Sequence, residues 1–554
     1  MGVKIAVLAG YFLLVLVVGF LARTRWSASP ETYFLADRKF GTLVLLATMA
    51  ATNFSAFTVF GTSGAGYRDG YAFFPIMGFG TGFMALSFWL LGRKIWRAGR
   101  ESGSVTPPEL IRHIYKSQPL STLFCVVMIV FTIPYLALQP MAAGYALEEL
   151  IGLPYFGGAA IITGIICLYT IRGGLRAVAW TDLFQGVLML VLLLASLLLV
   201  TGYHGGFLAA HQKALAAEPG LFSRPGPRGF YTPAIWFSFM MLWFFCDPMF
   251  PQLFQRFFSA KSERTIGRMM LFYPLICTVV FFMPIAIGVL GHLSFPDLAG
   301  KEADRILPMM ITLVSGDAMA ALVMACGLAA LMSTMDSQLL TLSSLFTRDI
   351  LPLASRRTEH PPYLGRLFVI LLALCGLGLA YLQPDTILNI ATQTFTGLTV
   401  LFPTVFFGLY LKKVHARAAM ASILAGEGAL VAATLGYLPT FGFLPVVPVL
   451  AITIAVYAGL HLALEAKTRG FAWTADVASA PWVRIAALFA LFLLSMDLWA
   501  WGKTGPVKAG LPLWIGYFVA LSAVQTWLMA GLIRPRKEAM AETGKKERLT
   551  GKAA

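Results

Sequence analysis

Apolar runs of about 20 residues recur along the whole chain, and no other feature restricts its fold so tightly. Fifteen of them are long enough to cross a bilayer: 4–22, 42–66, 71–92, 120–147, 154–171, 180–203, 232–250, 269–291, 317–347, 367–382, 387–410, 418–437, 441–464, 485–502 and 509–533. Only helices and closed barrels cross hydrocarbon, because each backbone polar group must find its partner without water. These runs do not alternate at every second residue, so they are helical. With 58 % hydrophobic and 12 % charged residues, the chain has too few charges to cover a soluble surface. The expected fold class is an all-α polytopic membrane protein with about 15 transmembrane helices.

A net charge of +16 raises nucleic acid as a partner, but the placement of the charge argues against it. When connections are numbered from the N-terminus, the odd ones and the C-terminal tail hold 33 of the 42 Lys and Arg; the N-terminus and the even ones hold 9. Basic residues stay on the cytoplasmic side. That rule puts the N-terminus outside and the C-terminus in the cytoplasm. The first run carries only Lys4 ahead of it and its basic residues follow it, unlike a cleaved signal peptide, so it is kept as a span.

The six cysteines (Cys125, Cys167, Cys246, Cys277, Cys326, Cys375) lie in apolar runs without paired spacing and read as small hydrophobes. No CxxC, HExxH, P-loop or GxSxG occurs, and no histidine stands beside Ser, Cys or Asp at mid-membrane depth. An enzyme is not expected, nor any cofactor or obligate protein partner. The connection 204–231 reads as a cap or loop. TPPELIRHIY reads as a short helix opened by Thr106 with Pro107 in its first turn, and the tail after Arg534 reads as disordered.

Two runs interrupt their own helical pattern. The second carries ATNFSAFTVFGTSGAGYRDG (51–70), with hydroxyls at depth and glycines beyond them. The seventh carries FFCDPMFPQ (244–252), with two prolines and an aspartate. Irregular backbone at membrane depth persists only where protein buries it or it lines a cavity. The two breaks are five spans apart. Since five is odd, the groups they open would be oppositely oriented, as in an inverted-repeat secondary transporter with a midplane site.

Three stretches resemble the sodium/solute symporter family, whose members carry proline, pantothenate, monocarboxylates, sugars and sialic acid. They are GGLRAVAWTDLFQG (173–186), AALMSTMDSQLLTLSSLFTRD (329–349) and SAFTVFGTSGAGYRDG (55–70); YFLADR (33–38) and QRFF (255–258) add to them. The resemblance implies a leucine-transporter-like inverted repeat of five plus five helices in the plasma (bacterial inner) membrane. The expected units are an extra N-terminal helix (1–25), a first repeat (40–205), a second, inverted repeat (230–411), accessory helices (412–534) and a basic cytoplasmic tail (535–554). It also implies a sodium site made by the hydroxyls of Ser333 and Thr334 with the carbonyls of Ala51, Phe54 and Ala330. Asp182, Asp336 and Ser337 match a second cation site of some members, where a hydroxyl stands in place of Asp336.

The same resemblance implies that Asn53, Ser55, Trp243 and Gln393 contact the solute, with Tyr135, Gln139 and Phe57 as weaker candidates. Cys246, at a gating-aromatic position of sugar carriers, argues against a sugar. Free N–H groups at a half-helix N-terminus suit a solute carboxylate, and no Lys or Arg falls within any span as drawn beyond Lys4, the first residue of the first. Asp247, Glu427 and Asp497 take no role from the family. The expected function is sodium-coupled symport of a small organic solute, an amino acid or carboxylate rather than a sugar, by alternating access. Its partners are that solute, sodium and the lipid bilayer. The alternatives are proton coupling through Asp182 and Asp336, or a transporter-like sensor.

Overall fold

The computed structural model describes residues 1–22, 29–354, 363–465, 471–478, 481–502 and 505–533. The basic tail 535–554 lies outside the described residues. Every one of the fifteen apolar runs contains helix. Eleven helices are long and apolar enough to cross a membrane, and two bent pairs bring the number to 13. The fifth and fourteenth runs form shorter apolar helices, Tyr155–Ile171 and Trp482–Leu494. The second of these reaches only about 20 Å at 1.5 Å per residue. Length and composition therefore support up to 13 crossings rather than fifteen.

The bent pairs fall where the sequence places its two breaks. In the second span, Thr42–Asn53 meets Phe57–Phe73 at 62°; in the seventh, Pro233–Met249 meets Pro251–Ser259 at 54°. Phe54 leaves the first of these helices in an extended conformation (φ −81°, ψ 91°), and Phe250 does the same ahead of Pro251 (φ −58°, ψ 124°). Pro248 and Pro251 supply no N–H to a helical ladder, which is why the seventh span stops and restarts here. A third discontinuity separates the fifth span from the sixth. Gly174 adopts φ 67°, ψ 176°, a region essentially reserved for glycine, and a Cβ there would lie 3.0 Å from the Tyr33 carbonyl oxygen.

Burial separates a centre from a rim. Buried residues make up 83 % of the most apolar part of the ninth span (Asp317–Leu353), but only 33–39 % of that part in Ala416–Thr434, Val446–Leu464 and Leu513–Ile533. The ninth span packs against the sixth, the fourth (Gln118–Ile151) and the broken second. The short helix Pro107–Tyr115 is opened by a capping box between Thr106 and Glu109, as TPPELIRHIY suggests. The connection 204–231 holds a helix, Phe207–Ala217, and Arg224, which is fully buried. One two-residue antiparallel pairing, Val507–Lys508 with Leu511–Pro512, departs from the all-α expectation.

Candidate ion and solute site

The ninth span meets the broken second span through hydroxyls. Ser333 Oγ donates to the carbonyl of Ala51 (2.8 Å) and to that of Ala330 (3.0 Å). Thr334 Oγ1 donates to the carbonyl of Thr52 (2.9 Å) and to that of Ala330 (3.3 Å). A membrane Ser or Thr commonly bonds back one turn along its own helix. Here each hydroxyl also crosses to carbonyls at the end of Thr42–Asn53, next to the break. Ala51, Ala330, Ser333 and Thr334 are thus brought together, with Thr52 added. Phe54 is buried at the break, but among the described residues its carbonyl makes no hydrogen bond to either hydroxyl. The assembled groups are hard oxygens, the donors that suit a small alkali cation.

Asp182, Asp336 and Ser337 also come together, around a fourth residue. Asp182 Oδ2 accepts from Arg256 Nη2 (3.0 Å), from Thr52 Oγ1 (3.3 Å) and from Thr48 Oγ1. Arg256 further donates to Ser337 Oγ (2.7 Å), Thr48 Oγ1 (2.9 Å) and the carbonyl of Gln252 (2.9 Å). Ser337 Oγ donates to Asp336 Oδ1 (3.2 Å), while Asp336 Oδ2 and Asp182 Oδ1 have no partner among the described residues. Contrary to the expectation from the sequence, a basic residue thus enters the seventh span. The seventh span does not end at residue 250: it resumes as Pro251–Ser259, all nine residues of which are buried. The available signal was QRFF, which places the arginine five residues beyond the second proline.

Beside this cluster lies a small cavity of about 10 Å³, near the smallest space that holds a water molecule. Asn53, Phe57, Thr58, Met77, Thr81, Tyr135, Trp243, Asp247, Phe250, Phe281 and Phe395 line it. Phe395 is its hub, with ring centroids 4.8 Å from Phe250, 4.9 Å from Tyr135 and 5.4 Å from Trp243. Asn53 Nδ2 donates to Asp247 Oδ2 (3.0 Å) and to the Tyr273 hydroxyl (2.6 Å). Asn53, Phe57, Tyr135 and Trp243 are thus brought together on the wall of one cavity, joined by Asp247.

Ser55 and Gln139 do something else. Gln139 Oε1 accepts from the Ala56 N–H (3.1 Å), Ser55 Oγ from the Phe57 N–H (3.2 Å), and Thr58 Oγ1 from the Ser55 N–H (3.2 Å). The Thr58 N–H bonds the Ser55 carbonyl at 2.9 Å. The half-helix N-terminus expected to be free for a carboxylate is thus already satisfied by its neighbours, as buried N–H groups must be.

Gln393 is not at this cavity. It is exposed and lines a separate one of about 590 Å³, with Phe131, Pro134, Asp385, Val431 and Leu435 among its walls. Two residues along a helix is about 200° of turn, so Phe395 points inward where Gln393 points away. Cys246 is fully buried beside Asp247. Asp497 is paired, bidentate, with Arg224 at 2.6 and 2.8 Å. Glu427 Oε1 has no partner among the described residues.

The sodium:solute symporter family model matches residues 33–426. A sodium/pantothenate symporter of Escherichia coli is 28 % identical over 466 residues, covering 81 % of this chain and 94 % of the relative. A sodium/proline symporter of Staphylococcus aureus is 25 % identical over 431 residues, 76 % of this chain and 83 % of the relative. The solved substrate-bound, outward-open structure of a sodium-coupled sialic acid symporter superposes with a TM-score of 0.71 at 20 % identity, over 85 % of this chain and 99 % of that one, which establishes a common fold.

Proposed function

This chain belongs to the sodium:solute symporter family and is a sodium-coupled symporter of the membrane, and from that premise we propose that it imports an amino acid or a carboxylate, such as proline, pantothenate or a monocarboxylate, rather than a sugar. The observation that carries the reading is the crossing of Ser333 and Thr334 to Ala51 and Thr52 beside the aromatic cavity. Sodium is held by Ser333, Thr334 and the carbonyls of Ala51, Phe54 and Ala330. Asn53, next in sequence to Thr52 and bonded to Asp247, joins this site to the cavity. Asp182, Asp336 and Ser337 form a second cation site, whose resident cation is the Arg256 guanidinium.

The architecture proposed is fifteen crossings in the plasma (bacterial inner) membrane with the N-terminus outside. Residues 1–25 are an extra helix, 40–205 and 230–411 the two inverted repeats, 412–534 accessory, and 535–554 a cytoplasmic tail. A membrane potential of about 100 mV gives one sodium roughly 2.3 kcal/mol, and a tenfold gradient adds about 1.4. Together, about 3.7 kcal/mol supports roughly 500-fold accumulation of a neutral solute.

Uptake into proteoliposomes, with a panel of amino acids, monocarboxylates, pantothenate and sugars, tests the reading. Accumulation of an amino acid or carboxylate driven by an inward sodium gradient, and lost when potassium replaces sodium at fixed pH, is the expected result. Uptake that follows a proton gradient and ignores sodium would sink it.

A further inference from the structure

The central cavity holds a buried carboxylate with no cation to match it. Asp247 is 2 % exposed; Asn53 satisfies its Oδ2, while its Oδ1 has no hydrogen-bond partner. Among the described residues no Lys, Arg or His forms an ion pair with it, whereas four of the six other buried aspartates, Asp69, Asp182, Asp304 and Asp497, each have an arginine; Asp336 and Asp349, also without an ion pair among the described residues, do not line the cavity. We propose that Asp247 is the counter-ion for a cationic nitrogen on the transported solute, so that the cargo is an amine, an amino acid or a betaine. This rests on the symporter reading and narrows it: a carboxylate without a cationic nitrogen is not the preferred cargo.

Three features agree. A carboxylate taken out of water needs a partner charge, and of the two participants that enter and leave with each cycle, sodium is assigned to Ser333 and Thr334, which leaves the solute. The walls facing Asp247 are aromatic. Trp243 lies 5.4 Å from both Phe57 and Phe395, with Tyr135 and Phe250 around the same hub, and ring faces of this kind attract ammonium groups. The feature that would have favoured a bare carboxylate, a free half-helix N-terminus, is occupied by Gln139 and Ser55. A carboxylate carried on the same solute has two unpartnered donors on the cavity wall among the described residues, the indole N–H of Trp243 and the hydroxyl of Thr81.

The test uses the full chain in nanodiscs, with melting temperature read against a library of amino acids, amines, betaines, carboxylates and sugars in sodium chloride. The strongest stabiliser is expected to carry a cationic nitrogen. In matched pairs that differ in that atom, proline against tetrahydrofuran-2-carboxylate and alanine against lactate, the nitrogen member should bind more than about tenfold tighter wherever either binds. Asp247→Asn should remove most of that preference, and Asp247→Glu should retain part of it. A strongest stabiliser without cationic nitrogen overturns the proposal whatever the variants do, and so does a preference that survives in Asp247→Asn. Repeating the library in potassium chloride separates the two readings. Nitrogen selectivity without sodium dependence removes the coupling and leaves Asp247 in place; the reverse removes Asp247 alone.

Discussion

Ser333 and Thr334 each have two carbonyls within hydrogen-bond distance, one on their own helix and one across the break. A hydroxyl-to-carbonyl contact is worth about 0.5–1.5 kcal/mol net. Replacing either residue by alanine should therefore raise the sodium concentration for half-maximal uptake about three- to tenfold, with little change at saturating sodium. Unchanged sodium dependence in both variants at normal expression removes this site. The two hydroxyls are legible in the sequence because they are neighbours on one helix inside a recognisable motif. Thr52 is not, because its part depends on how the end of another helix meets them in space. Gln393 shows the opposite failure. Its identity matches the family pattern, yet helical periodicity turns it away from the cavity and presents Phe395.

Breaks in elements are readable as breaks, but what lies beyond them is harder to read. Two prolines mark where the seventh span stops; nothing in composition says that the polar segment after them turns back into protein. That segment delivers Arg256 to Asp182, and so joins the seventh span to the sixth, to Ser337 on the ninth and to Thr48 on the second. Removing one partner of a buried ion pair costs about 3–5 kcal/mol, while removing both costs far less. Asp182→Asn and Arg256→Gln should each lower the melting temperature sharply, and the double variant should recover at least half of the loss. With the guanidinium already in place, the sodium Hill coefficient of the unaltered protein should be about 1. A value near 2 would mean that Arg256 leaves Asp182 to a second sodium. The Gly174 discontinuity makes a separate prediction. Gly174→Ala forces a side chain into φ 67°, ψ 176° against Tyr33, which should cost about 1–3 kcal/mol of stability. An unchanged melting temperature would show that the sixth span starts some other way.

Over the whole molecule, topology is the property that sequence charge and helix length address from different directions. The alternation of Lys and Arg is the argument for the proposed fifteen crossings, because one missing crossing inverts every connection after it. Helix length supports up to 13, since Tyr155–Ile171 and Trp482–Leu494 are short. A short helix can still cross where the bilayer thins or flanking residues reach the interface, at a cost of fractions of a kcal/mol per ångström of mismatch. Charge is what favours the proposed count. Arg172 and Arg176 follow the fifth span, and Arg484, in the first turn of the helix Trp482–Leu494, immediately precedes the fourteenth run. Two measurements read the two doubtful crossings separately. A lone cysteine replacing Ser262, between the seventh and eighth spans, in a background without the six native cysteines, should react with a membrane-impermeant maleimide only from the cytoplasmic face. Labelling from outside would mean that the fifth span does not cross. Given that result, a fluorescent protein fused after the tail should fluoresce, because it folds in the cytoplasm. A dark fusion with periplasmic phosphatase activity at the same position would mean that the fourteenth does not cross. The accessory unit 412–534 would then be a cap beside the transport core rather than part of the span count.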